Sequence, residues 1–312
     1  MSLHLGIDTS NYTTSVAIYD SETKNVIHRK KLLPVKAGER GIRQSDAVFH
    51  HTQQLRELIA ELGANDVDTV GVSIRPRWAD DSYMPCFTVG QTVATSIATI
   101  GGKPLYEVSH QEGHVMAALY SAGKLDLVGQ EFMAFHVSGG TTESLLIKPS
   151  ARCPVSATIL GTSSDLKAGQ AIDRVGVMLG LQFPCGPELE KLALKSTHLD
   201  EKDAFGIRVS SVDGNPSLSG VENKCKKMFD DGCAPEDIAL FCLRYVEKAI
   251  VAMLDYADNK LPVVFSGGVM SNSILQSALR AHCESLGRES YFATPEFSSD
   301  NAAGVAILAS LV

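Results

Sequence analysis

Apolar and polar positions alternate in two similar blocks of this chain. The first is Leu5-Gly6-Ile7-Asp8-Thr9-Ser10-Asn11-Tyr12-Thr13-Thr14-Ser15-Val16-Ala17-Ile18, the second Phe135-His136-Val137-Ser138-Gly139-Gly140-Thr141-Thr142-Glu143-Ser144-Leu145-Leu146-Ile147. Each reads as strand, small polar turn, strand, so one supersecondary unit occurs twice. After the first block come a further strand pair from Val26 to Leu33, an amphipathic helix with Val48, Leu55, Leu58, Ile59 and Leu62 at helical spacing, and a strand from Thr69 to Ile74. Further on, Asp165 to Val175 reads as helix, and Glu236 to Leu254 is the longest clear helix, preceded by Pro235 and apolar on a broad face. Val263 to Ser266 is a buried-type strand that runs into Gly267-Gly268 and then a helix starting near Ser273. Strands alternating with helices imply an α/β fold.

Three of these junctions suit a nucleotide. Backbone N–H groups and hydroxyls in turns rich in Gly, Ser and Thr can converge on phosphate oxygens without large side chains intervening. A strand that runs through Gly-Gly into a helix brings a ligand close to backbone and to the helix N-terminus. His110 and His114 carry the most specific chemistry. On a helix, residues four apart project about 40° from one another, so both imidazoles could reach one metal ion. Between them lie Glu112 and Gly113; a glycine in the start of a helix marks close approach of backbone or ligand. In zinc peptidases the glutamate follows the first histidine directly, whereas Glu112 comes two residues after it, roughly 200° round the helix and facing away. A peptidase fits poorly.

With 312 residues the chain exceeds the size at which one core stops growing, which implies two domains or a duplicated unit. No apolar run reaches the length of a membrane span, and the N-terminus opens straight into Leu3-His4-Leu5-Gly6-Ile7, which suggests a cytoplasmic protein without a membrane partner. The seven cysteines are scattered without a Cys-x-x-Cys pair, which fits reduced, packing thiols. A net charge of -8 has the wrong sign for gripping nucleic acid over the whole surface, so any RNA needs a local basic patch or a partner. The one dense cluster, His28-Arg29-Lys30-Lys31 followed by Lys36, Arg40 and Arg43, reads as a solvated hairpin and loop.

An ordered set of motifs along nearly the whole chain resembles the catalytic subunit family of tRNA threonylcarbamoyladenosine synthesis, formerly called O-sialoglycoprotein endopeptidases or glycoproteases. The set comprises Gly6-Ile7-Asp8-Thr9-Ser10, His110 with His114, Val137-Ser138-Gly139-Gly140-Thr141, Ala168-Gly169-Gln170-Ala171-Ile172-Asp173, Phe183-Pro184-Cys185-Gly186-Pro187, Gly267-Gly268-Val269 with Asn272, and Ser299-Asp300-Asn301-Ala302-Ala303. The resemblance implies two RNase H-like lobes of the actin, sugar kinase and Hsp70 superfamily with a nucleotide cleft between them. Residues 1–108 with 301–312 would form the first lobe, and 109–300 the second, with a helical insertion and the metal and nucleotide site at the interface. It also implies that Asp300 completes a metal site with His110 and His114, for iron or zinc, and that two histidines and one carboxylate leave positions open for substrate oxygens. By the same transfer Ser138, Gly139, Gly140 and Thr141 lie along the phosphate, and Asp173, Gly186 and Asn272 hold ribose and adenine. Gly267 and Gly268 line the nucleotide, and Asp8 occupies the first phosphate motif.

The activity implied is transfer of a threonylcarbamoyl group from threonylcarbamoyl-adenylate to the exocyclic amine of the adenosine beside the tRNA anticodon. The cofactors implied are one divalent metal and an adenine nucleotide (threonylcarbamoyl-AMP, AMP or ATP). The partners implied are tRNA, a homologous noncatalytic subunit and an ATPase subunit. The chain departs from the family in two places. Asp8-Thr9-Ser10-Asn11-Tyr12-Thr13-Thr14 replaces Glu-Thr-Ser-Cys-Asp-Glu-Thr and lacks its two later acids. The run Arg75-Pro76-Arg77-Trp78-Ala79-Asp80-Asp81-Ser82-Tyr83-Met84-Pro85-Cys86-Phe87 replaces a Gly-Pro-Gly stretch. Thr141 and Cys185 also differ from the usual residues. These changes suggest a divergent bacterial paralogue, and two alternatives stay open: transfer of a carbamoyl-type group to another acceptor, and a noncatalytic nucleotide-binding subunit. Trp78 beside two arginines could stack on a base or pack as an interdomain loop.

Overall fold

A computed structural model describes residues 2–10, 12–34, 42–63, 66–79, 81–201, 203–257 and 260–311. In chain order the elements are β1 (Leu3–Ser10), β2 (Thr13–Asp20), β3 (Asn25–Leu32), α1 (Gln44–Leu62), β4 (Thr69–Arg75), α2 (Phe87–Gly101), β5 (Leu105–Ser109) and α3 (His110–Ser121). There follow β6 (Phe132–Val137), β7 (Thr142–Lys148), β8 (Ser156–Thr162), α4 (Ala168–Met178), α5 (Gly186–Ala193), the short strands β9 (Ser211–Val212) and β10 (Asn215–Pro216), α6 (Ser219–Asp230) and α7 (Pro235–Tyr256). The chain ends with β11 (Val263–Ser266), α8 (Ser273–Ser285), β12 (Ser290–Phe292), α9 (Pro295–Ser298) and α10 (Ala303–Ala309).

The duplication seen in the sequence is a duplication of sheets. One five-stranded sheet runs β3-β2-β1-β4-β5, the other β8-β7-β6-β11-β12. In both, the first strand pairs antiparallel with the second and parallel with the fourth: β1 with β2 and β4, β6 with β7 and β11. The segment from Val26 to Leu33 is one strand rather than a pair. It forms the exposed edge beside β2, after a turn in which Lys24 takes a left-handed backbone with φ 62°. His28, Arg29, Lys30 and Lys31 lie on this edge, and Lys31 pairs with Glu57 at 3.0 Å. Lys36 and Arg40 of the basic cluster lie outside the described residues.

The chain divides into two compact units, residues 1–128, 149–156 and 296–312 in one and residues 129–148 and 157–295 in the other. The core of unit 2 gathers around α7, whose Ile238, Leu243, Val246, Ile250 and Leu254 are buried with Phe135 and Phe265 of the sheet. Each such side chain contributes about 1.5–3 kcal/mol by leaving water. In unit 1, Ile7, Val16, Val70 and Val72 pack with Leu55 and Leu58 of α1 and Ala94 of α2.

The lobe boundary differs from the expectation that 109–300 form the second lobe. Helix α3 and Asp300 both belong to unit 1. The cause is α10, whose seven residues, Ala303 to Ala309, are all buried. Small residues let it approach its neighbours at backbone distance. A Cβ on Gly71 of β4 would stand 2.7 Å from the Val305 carbonyl oxygen, and one on Gly304 would run into the Gly113 carbonyl oxygen of α3. Gly113 therefore marks close approach of backbone, one of the two meanings its place in the sequence allowed.

Gly304→Ala should separate α10 from α3 and destabilise the protein by about 1–3 kcal/mol. Denaturant melts measure this, and an unchanged midpoint would show that the helix pair tolerates the added methyl.

Candidate metal centre and glycine loops

The last residues of β5 lead directly into α3, so the first helical residue, His110, stands at the end of a sheet strand. Ser109 and Glu112 close a capping box at this junction. The Glu112 N–H donates to Ser109 Oγ at 3.2 Å, and the Ser109 N–H donates to Glu112 Oε2 at 2.8 Å. Two of the unpaired amides of the first turn are thereby satisfied. Glu112 points away from the histidines, as its position around the helix requires, and is fully buried.

His110, His114 and Asp300 converge. Each offers one ligand atom, and these atoms all lie within 4.8 Å of one another. The two Nε2 atoms are 2.8 Å apart, and Asp300 Oδ1 is 3.2 Å from His114 Nε2 and 3.5 Å from His110 Nε2. Among the described residues this is the one group of His, Cys, Asp or Glu with such a geometry. Thr13 Oγ1 donates to Asp300 Oδ2 at 3.2 Å, leaving Oδ1 directed at the histidines.

Asp8, which the resemblance places in the first phosphate motif, sits behind His110. It has no exposed surface, and its Oδ1 lies 3.2 Å from His110 Nδ1. Ser73 Oγ donates to Oδ1, and Ser10 Oγ donates to Oδ2 at 2.6 Å. Burial pushes this carboxyl upward, but the charge of His110 and the bonds from His110, Ser10 and Ser73 outweigh it and hold the group below the usual carboxylate range. An ionised carboxylate can only accept, so His110 Nδ1 carries the proton. Burial likewise acts to lower the pKa of His110, yet Asp8 and Asp300 raise it to about 10. Asp300 is held well below its ordinary value: burial opposes this, and the bonds from His110 and His114 overcome it.

The donor set fits a divalent cation. Two imidazole nitrogens and one carboxylate oxygen face a common point, and a carboxylate fixes the tautomer of one imidazole from behind, as outer partners of metal-bound histidines commonly do. Thr13, Ser10 and Ser73 escaped the sequence reading. Ser10 ends β1 two residues after Asp8, on the same face, where strand alternation could have revealed it, and Thr13 pairs with it at the start of β2; nothing local marks Ser73.

The remaining candidates lie in unit 2. Ser138, Gly139, Gly140 and Thr141 form the tight turn between β6 and β7, closed by the Ser138 N–H to the Thr141 carbonyl at 2.7 Å. The N–H groups of Gly140 and Thr141 are directed at their own Ser138 Oγ, at 3.3 and 3.1 Å. Nothing lies within 4 Å of where a Cβ would stand on Gly139 or Gly140. Gly267, with φ 97°, packs on the Val137 backbone just before this turn, which joins the two glycine motifs; Gly268 is open. Asp173, which the resemblance assigns to the nucleoside, accepts the Cys185 N–H through Oδ1 at 2.8 Å, at the residue just before α5 and Gly186. Asn272 is buried and caps α8 through the Leu275 N–H at 3.0 Å, while the adjacent Ser273 N–H reaches Glu190 of α5 at 2.7 Å. The glycine turns thus form one group, and Asp173, Gly186 and Asn272 a second around α5.

Trp78 stays partly exposed, 39% of its surface, but its indole is held on one side. Its Nε1 donates to Glu112 Oε2 at 2.7 Å, and the guanidiniums of Arg75 and Arg152 lie 4.8 and 3.9 Å from its ring centre, all within unit 1. Asp80 of the same loop lies outside the described residues. All seven cysteines are free thiols, and no described helix is long and apolar enough to cross a membrane.

Comparison with known proteins places this geometry. A protein from Archaeoglobus fulgidus named tRNA N6-adenosine threonylcarbamoyltransferase is 28% identical over 312 residues, covering 97% of this chain and 88% of its own length. A probable bifunctional tRNA threonylcarbamoyladenosine biosynthesis protein of Thermoplasma acidophilum is 28% identical over 99% of this chain, which spans only 56% of that longer relative. Component A of (R)-2-hydroxyglutaryl-CoA dehydratase from Acidaminococcus fermentans superposes with a TM-score of 0.58 at 18% identity, over 99% of this chain and 98% of its own, a likeness of fold. The same fold, two α/β units each built on a five-stranded sheet, is shared with a ROK family glucokinase from Streptomyces griseus, at a TM-score of 0.51 and 12% identity over the whole of both chains. A family model matches residues 24–307, and the chain belongs to that family, TsaD, the tRNA N6-adenosine threonylcarbamoyltransferases, which are acyltransferases that modify tRNA.

Proposed function

We propose that the protein transfers a threonylcarbamoyl group from threonylcarbamoyl-adenylate to the exocyclic amine of the adenosine beside the tRNA anticodon. The observation that carries this reading is the convergence of His110, His114 and Asp300 in a member of the TsaD family. One divalent cation, Fe2+ or Zn2+, is assigned to these three residues; when bound, it supplies positive charge that orients the substrate and stabilises charge developing on its oxygens.

The side chains prepare for that charge. Asp8 holds the Nδ1 proton of His110, which leaves the Nε2 lone pair for ligation, and Thr13 occupies Oδ2 of Asp300 so that Oδ1 serves the centre. In unit 2, Gly139 and Gly140 are assigned to the adenylate phosphate, because their open Cβ positions let an anion reach the backbone. Ser138, Thr141, Gly267 and Gly268 shape that turn. Asp173 keeps its second oxygen for a ribose hydroxyl, with Gly186 and Asn272 beside the nucleoside. The acceptor nitrogen forms a bond to the carbamoyl carbon, the bond from that carbon to the phosphate oxygen breaks, the amine loses a proton and AMP leaves. This needs no protein nucleophile, only alignment and charge stabilisation. The net charge of -8 favours help from a partner in holding tRNA, such as a homologous noncatalytic subunit and an ATPase subunit.

Purified, metal-loaded protein, assayed with and without partner subunits, should form product from threonylcarbamoyl-adenylate and unmodified tRNA, and His110→Ala should lower the rate more than about 100-fold. No product alongside intact metal and nucleotide binding would redirect the reading to another acceptor.

Proton and metal compete for His110. Because its folded pKa is about 10 against an ordinary 6.5, its contribution to the stability of metal-free protein is complete below about 6.5 and lost as pH rises through 10. Asp8 and Asp300 act in the opposite sense and lose theirs as pH falls below the usual carboxylate range. Melting temperatures in chelator should therefore fall from pH 6.5 to 10, and His110→Ala should remove most of that slope. A slope unchanged in the variant would assign the loss to other groups.

A further inference from the structure

The loop from Arg75 to Phe87 touches the metal-ligand helix repeatedly. The Gln111 N–H donates to the Pro76 carbonyl at 3.0 Å, Trp78 donates to Glu112, and the Phe87 ring meets His110 edge to face at 6.3 Å between centroids. A second segment, residues 149–156, packs within the same unit although it links two strands of the other sheet. Its Arg152 Nη2 lies 2.8 Å from Glu112 Oε1, and its Arg152 carbonyl accepts the Tyr106 hydroxyl of β5 at 2.7 Å.

Glu112 sits between the two histidines in sequence and has no exposed surface. A buried carboxylate is costly unless its charge is balanced and its oxygens are bonded. Here the capping serine and the Trp78 indole N–H donate to Oε2, while the Arg152 guanidinium balances the charge as an ion pair at Oε1, which accepts no aligned hydrogen bond. The same carboxylate caps the first turn of α3, so whatever fixes Glu112 fixes the direction in which His110 and His114 leave the helix.

From these contacts we infer that Trp78 and Arg152 are positioning residues for the metal centre: they lock the Glu112 carboxylate, and through it the first turn of α3, so that His110 and His114 present their Nε2 atoms to one cation. This rests on the metal reading of His110, His114 and Asp300. It also gives the unusual loop a use that does not involve contact with a substrate.

The experiment titrates the full-length protein with Zn2+ in competition with a chromophoric chelator and records the visible spectrum of the Co2+ form. Trp78→Phe keeps an aromatic ring but loses the indole N–H together with the five-membered half of the ring system; Arg152→Met keeps length and loses the charge; Arg152→Lys keeps the charge. The first two should weaken Zn2+ binding about 10–100-fold and alter the Co2+ bands, and Arg152→Lys should recover part of the affinity. If Arg152→Met does not fold, Trp78→Phe decides alone. Folded variants with unchanged affinity and spectrum would overturn the positioning role while leaving the metal centre in place. Unmodified protein that takes up neither ion would overturn both readings.

Discussion

The close approach of α3 and α10 is the constraint on which the centre depends. Gly304 has no room for a side chain because the Gly113 carbonyl occupies it. Gly113 lies one residue before His114, and Gly304 lies four after Asp300, so the contact fixes how far the carboxylate stands from the imidazoles. Glycine costs about 1 kcal/mol in a helix interior, a cost offset here by packing that brings residues 186 positions apart into ligand distance. The buried helix α10 also explains why α3 joins the first unit, contrary to the boundary that the family resemblance implied.

Two fully buried carboxylates flank the start of α3, and they do different work because their partners differ. Glu112 is held by a tryptophan, an arginine and the helix cap, none of which is a ligand. Asp8 is held by a histidine whose other nitrogen faces a shared point with His114 and Asp300. Desolvation of a carboxylate costs several kcal/mol before compensation, so neither would persist without a charged or hydrogen-bonded partner. For Glu112 the compensation produces a rigid helix start. For Asp8 it produces a polarised imidazole.

Much of this was legible in the sequence where a pattern is local. Period-two alternation located both copies of the strand-turn-strand unit, and the four-residue spacing of His110 and His114 gave one face of a helix. Asp300 came only from family resemblance, since nothing in its neighbourhood marks a ligand 186 residues from its partner. The role of Arg152 had no signal at all: it lies in a loop between two strands, and its partner Glu112 is 40 residues away. The contact of Asp173 with the Cys185 N–H had no signal either, because it reaches across a turn that periodicity does not describe.

The duplicated unit shows how one topology takes up two chemistries. Ser10 pairs with Thr13 at the end of the first hairpin, and Val137 pairs with Thr142 at the end of the second. Two residues before each of these strand ends stand Asp8 and Phe135, both without exposed surface. In unit 2 the position is filled by an aromatic ring that packs on Phe265, and the turn beyond it closes on its own hydroxyl and leaves two glycines open. In unit 1 the same position holds a carboxylate, which burial alone would expel, and the compensating charge comes from His110 at the head of α3. An apolar residue at position 8 would pack as well as Phe135 does, but it would leave the Nδ1 proton of His110 without an acceptor and the imidazole free to turn. That a carboxylate occupies a place suited to a hydrophobic side chain is therefore explained by the centre it supports, not by the stability of the sheet.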